Sequence, residues 1–104
     1  MKMSWAQFKD KEIKWSEEKD QQLVRTRNFS FADVVAAVED GRNILDIFPH
    51  PLKDKYPNQI VLIVRINNYA VVVPFVPEDD TIFLKTAYHN RESTQRYLST
   101  KKNI

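Results

Sequence analysis

Four residues near the C-terminal end, Lys85, Tyr88, His89 and Arg91, are of the types that move protons and hold phosphate charge. Cleaving RNA by attack of its own 2′-hydroxyl needs no external nucleophile. It needs a base for that hydroxyl, an acid for the leaving oxygen, and cations for the charge growing on phosphorus. Lys85 interrupts an otherwise apolar strand, which costs stability unless its head reaches the surface or a partner. A snorkelling lysine, or a charge guarding an edge strand, accounts for it equally well. His89 and Arg91 flank a helix start, where both could face one anion. Strict alternation puts Lys85 and Tyr88 on opposite faces of their strand, so they converge only if the strand ends or twists between them. Arg65 interrupts a second apolar strand in the same way and could lie near Lys85 on the sheet. Arg96 and Tyr97 follow on the last helix, where Tyr97 either positions substrate or packs the helix. His50, Lys53, Lys55 and Tyr56 form another polar group on a loop, where His50, between two prolines, is either a solvent-exposed loop residue or an RNA contact. The expected catalytic set is therefore Lys85, Tyr88, His89 and Arg91. The expected RNA-binding set is Arg65, Arg96, Tyr97, Lys55 and His50.

Composition removes the competing chemistries. The single glycine, Gly41, rules out a glycine-rich phosphate loop, and the absence of cysteine rules out disulfides, thiol nucleophiles and Cys-ligated zinc. The two histidines have no acidic residue in ligand spacing, so no metal and no cofactor is expected. Asp79 and Asp80 fit a turn better than an acid pair. The net charge is only +2, but residues 85–104 hold five Lys/Arg against one Glu. That asymmetry favours an anionic partner at this end, with an ordinary solvated helix as the plainer account. No apolar stretch approaches a membrane span, and the N-terminus lacks an apolar signal region, so a cytoplasmic location is expected.

The elements that must position these residues follow from spacing. At 104 residues, 42% apolar and 29% charged, the chain has the size of one globular domain. Residues 1–12 form a loosely ordered leader, and 13–104 a single α+β domain. Ile13–Trp15 is a short strand, and Ser16 caps a surface helix running to Arg27, with few apolar positions. Ser30 with Asp33 has capping-box spacing, and Phe31, Val34, Val35 and Val38 form the core stripe of a helix ending at Asp40, with Gly41 as its C′ residue. Strands follow at Ile44–Phe48, Ile60–Ile66, Tyr69–Val76 and Thr81–Tyr88, with Asn67-Asn68 as a two-residue turn. Pro74 marks a bulge or an edge. Asn90 caps a last helix to about Thr100, ended by Lys101 and Lys102. The fold class is α+β, a small antiparallel sheet (a three-strand meander plus one or two short strands) packed against two N-terminal helices and a C-terminal one.

This order resembles the BrnT-type toxins of bacterial toxin–antitoxin pairs, within the wider RelE/ParE group. The likeness runs from Ile13 to Leu98. It is carried by Ile13-Lys14-Trp15-Ser16-Glu17-Glu18-Lys19, Ser30-Phe31-Ala32-Asp33-Val34-Val35, Ile82-Phe83-Leu84-Lys85-Thr86-Ala87, Arg91-Glu92-Ser93 and Tyr97. Those toxins carry Lys-His-Gly between the helices, where this chain has Thr26-Arg27-Asn28-Phe29. They carry Ser-Ala-Arg after the last strand, where it has Tyr88-His89-Asn90-Arg91, so Arg91 is the residue carried over. The resemblance implies a RelE/ParE-like fold, metal-independent RNA cleavage, and a co-encoded ribbon-helix-helix antitoxin that binds DNA. A homodimer or a toxin–antitoxin hetero-oligomer fits that expectation. A non-catalytic module that blocks a protein target or binds an anionic ligand is the alternative.

Overall fold

Local chemistry starts each helix. The computed structural model describes residues 3–99. In α1 (Glu17–Arg27) the Ser16 hydroxyl accepts from the Lys19 N–H at 3.2 Å, and Asn28, with φ 64°, closes the helix in the left-handed region usually left to glycine. In α2 (Phe31–Glu39) the box is reciprocal: Ser30 accepts from the Asp33 N–H at 3.2 Å, and the Asp33 carboxylate accepts from the Ser30 N–H at 2.9 Å. This helix buries Phe31, Val34, Ala37 and Val38. It stops at Glu39, not Asp40, and Gly41 is not a left-handed C′ residue. Asp40 instead caps a 3-10 turn over Gly41–Asn43, its carboxylate accepting from the Arg42 N–H.

The strands are β1 (Glu12–Trp15), β2 (Ile44–Pro49), β3 (Ile60–Ile66), β4 (Tyr69–Pro77), β5 (Thr81–Leu84) and β6 (Tyr88–His89). Asn67 and Asn68 both take positive φ in the β3–β4 turn. The sheet runs β1-β5-β4-β3-β2, with β6 also on β4, and it does not close. It is mixed rather than wholly antiparallel, because β1 joins β5 in parallel. A parallel neighbour requires a long connection, and two helices and three strands separate this pair. The last helix, α3, spans Arg91–Leu98, with the Asn90 side chain accepting from the Ser93 N–H at 2.7 Å. The expected end at Thr100, Lys101 and Lys102 lies outside the described residues.

One face of the sheet is sealed. Leu23 of α1 and Phe31, Val34, Ala37 and Val38 of α2 pack on Leu62, Val64, Val71, Val73, Phe75, Ile82 and Leu84, whereas Val35, expected in the stripe, is only half-buried. The segment expected to be a loose leader packs there too: Phe8 is buried, edge-on to Phe75 at 5.3 Å. Among the described residues, the opposite face, around Val61, Ile63, Ala70 and Val72, has packed against it the partly buried Leu45 and Phe48 and the half-buried Tyr97 and Leu98 of α3. No residue of α3 is buried. A groove is left between α3 and the sheet.

The expected strand Thr81–Tyr88 is two strands with a break, and Pro74 supplies the reason. The Lys85 N–H donates to the Pro74 carbonyl at 2.9 Å, but proline has no N–H to return. Leu84 stands opposite Phe75, and Tyr88 stands opposite Val72. Four steps along the β5–β6 side thus match three along β4, which is a one-residue bulge.

Candidate functional site

Residues directly opposite one another in an antiparallel pair share a face. Val61, Ile63, Val72 and Pro74 line the α3 face, so Tyr88, opposite Val72, and Lys85, opposite Pro74, lie there together. Their β4 partners are two residues apart, a spacing of roughly 7 Å along the strand. Uninterrupted alternation would separate the two; the bulge brings them to one side. His89 pairs with Val71 and goes to the other face, its ring edge-on to Phe29 at 5.1 Å and to Tyr69 at 5.0 Å. Tyr88 and His89 therefore do not act on one substrate atom from one side.

The groove has a volume of about 510 Å³. Phe48, Val61, Ile63 and Val72 make its floor, and Tyr88, Tyr97, Arg96, His50, Asp46 and Glu92 stand around it. Tyr97 donates its hydroxyl to the Asp46 carboxylate. That bond, reinforced by partial burial, raises the phenol pKa above its ordinary 10.0, since ionisation would leave two anions face to face. Asp46 also accepts from the Ile47 N–H at 2.8 Å. Arg96 pairs with Glu92 one turn earlier at 3.7 Å, an exposed and weak contact. Thr94 anchors the same helix, its hydroxyl accepting from the Ala70 N–H at 3.0 Å.

His50 is held by its loop. Its N–H donates to the Gln59 carbonyl at 3.0 Å, its Nδ1 accepts from the Leu52 N–H at 3.1 Å, and its ring lies 4.5 Å from that of Tyr56. A neutral imidazole that accepts at Nδ1 carries its proton on Nε2. His50, Tyr88, Arg96 and Tyr97 are thus the expected residues that line one groove. The others lie around or away from it. Lys85 is exposed on the groove face with its ammonium 5.6 Å from the Phe83 ring centre. Arg91 is exposed at the first position of α3. Lys55 sits over Tyr56 on the loop, at 5.7 Å. Arg65 shares the α3 face but is engaged by Asn43 through a 3.1 Å hydrogen bond. It stands opposite Ala70, four residues along β4 from Pro74, so about 13 Å of strand separates it from the position of Lys85.

Sequence reasoning passed over three groups. Asp46 interrupts the apolar run Ile44–Phe48 just as Lys85 and Arg65 interrupt theirs, and that was its signal. Glu92 had none beyond its place one turn before Arg96. Arg27 donates from Nη1 to the Ala87 carbonyl, tying the end of α1 to the bulge before Tyr88. Among the described residues no three His, Asp or Glu side chains are grouped as metal ligands, and no helix is long and apolar enough to cross a membrane. No family model, curated protein or solved structure matches the chain.

Proposed function

We propose that the protein is a metal-independent ribonuclease toxin with a RelE/ParE-like fold, neutralised by a co-encoded ribbon-helix-helix antitoxin. The observation that carries this reading is the bulge opposite Pro74, which gives Lys85 and Tyr88 a common face beside a groove that also holds His50 and Arg96. In the reaction the RNA 2′-oxygen attacks the adjacent phosphorus, the bond to the 5′-oxygen breaks, and a 2′,3′-cyclic phosphate and a 5′-hydroxyl result. Tyr88 supplies a proton to the departing 5′-oxygen and the 2′-hydroxyl proton passes to solvent water, while His50, with its proton on Nε2, donates a hydrogen bond to a phosphoryl oxygen. Lys85, Arg96 and, at the start of α3, Arg91 stabilise charge on the phosphoryl oxygens. Tyr97, its hydroxyl committed to Asp46, contributes its ring as a surface for a base. His89 has no part in the step.

Incubation of the purified protein with single-stranded RNA in EDTA tests this. Fragments ending in 2′,3′-cyclic phosphate and 5′-hydroxyl are the expected products, and intact RNA under those conditions would count against it. One observation favours the alternative of a non-catalytic module: Asp46 and Glu92 stand in the same groove and offset its positive charge above an apolar floor. Tight binding of a protein partner without RNA breakdown is the outcome that reading requires.

A further inference from the structure

The α1 stripe that faces the sheet edge has the wrong chemistry for packing. Lys19, Gln22, Leu23, Thr26 and Arg27 recur at the i, i+3, i+4, i+7, i+8 spacing that places residues on one helix face, yet only Leu23 is apolar and buried. The apolar Val24 is 49% exposed, off that stripe. Together with Thr86 of the bulge these five residues line a cleft of about 310 Å³, separate from the groove. Lys19, Gln22, Arg27 and Thr86 each bring a hydrogen-bond donor, and no carboxylate lines the cleft.

Two positive charges share this small space. Among the described residues neither Lys19 nor Arg27 is in a salt bridge. Of the three acids in the first turn of α1, none lines the cleft: Asp20 is committed to the Phe31 N–H at 2.7 Å, Glu17 lies on the far side of the helix, and Glu18 lies off the stripe on its flank. Arg27 spends one N–H on the Ala87 carbonyl, which fixes its guanidinium beside Thr86 and leaves four donors. The C-terminal end of α1 contributes roughly half a negative charge, less than the two cations that face it. Thr26 spends its hydroxyl proton on the Gln22 backbone carbonyl at 2.7 Å and so offers a ligand no donor, whereas the Gln22 side-chain amide is left to donate.

We infer that the cleft between α1 and the bulge is a phosphate-binding site, with Lys19 and Arg27 as its charge and Thr86 and Gln22 as its hydrogen-bonding rim. The site stands apart from the cleavage chemistry, since no groove residue lines it. Its ligand is a phosphate group, either free or in a nucleic-acid backbone.

Backbone amide shifts of the full chain, titrated in parallel with inorganic phosphate and with a short single-stranded RNA, test the site. Both ligands are expected to move the amides of Gln22, Thr26, Thr86 and Ala87. Lys19→Gln is expected to weaken the inorganic phosphate response about tenfold, the loss of one charge-assisted hydrogen bond. Thr86→Val, which leaves the charges and the Arg27 bond in place, is expected to weaken it as well. A stronger response to RNA at equal phosphate concentration assigns the site to a backbone, and an equal response assigns it to a free phosphate. No change at those amides, or changes insensitive to both substitutions, overturns the proposal. The readout is binding, so an RNA-cleavage result in either direction leaves it standing.

Discussion

Tyr97 ties α3 to the sheet through one hydroxyl, and that single bond sets its acid–base behaviour. The folded state holds the phenolic proton more tightly than the unfolded chain because Asp46 accepts it. The stability from this pair is therefore complete below about pH 10, the ordinary tyrosine value, and is lost as pH rises from there through the raised folded pKa. Tyr97→Phe is expected to lower stability by about 1 kcal/mol in urea denaturation near neutral pH. In the wild type, one of the four tyrosines should titrate above the others, and Asp46→Ala should bring it back towards them. An unchanged titration in that variant would show that the bond does not form in solution. At this scale the sequence revealed Tyr88, Arg96, Tyr97 and His50 by type, and all four line the groove. It hid the convergence of Lys85 and Tyr88, because that depends on a hydrogen bond that Pro74, eleven or more residues earlier, fails to make.

The elements differ in how firmly they are held. Phe31 is fully buried at the first turn of α2, tilted against Trp15 at 5.6 Å, and Phe31→Ala should cost about 3–5 kcal/mol in denaturant unfolding. By contrast α3 buries no residue and rests on Thr94, Tyr97 and Leu98. Its amides should exchange with deuterium well before those of β3 and β4, by local opening. Equal protection across all three would contradict the loose docking described. Capping signals made both N-terminal helix starts readable at Ser16 and Ser30, and the Asn-Asn turn fixed the β3–β4 hairpin. The parallel β1–β5 pair was not readable, since nothing local in either strand records a partner so distant in the chain.

Over the whole molecule the two sheet faces divide their work. Nearly all the large side chains gather under α1 and α2, while the other face keeps an apolar floor with aromatic and charged walls. Continuous apolar runs in β3 and β4 are the pattern of strands covered on both faces, but such a pattern does not say that an eight-residue helix covers the second only in part. The proposed chemistry depends on which residues share that open face, so the most direct test compares Lys85 and Tyr88, which the bulge gathers there, with His89, which alternation sends to the other face. RNA cleavage in EDTA should be measured for the wild type, Lys85→Ala, Tyr88→Phe and His89→Gln, with folding of each checked by circular dichroism. The account predicts that Lys85→Ala and Tyr88→Phe each lose about a hundredfold or more in rate, while His89→Gln cleaves as the wild type does. Full activity in Tyr88→Phe alongside loss in His89→Gln would contradict it.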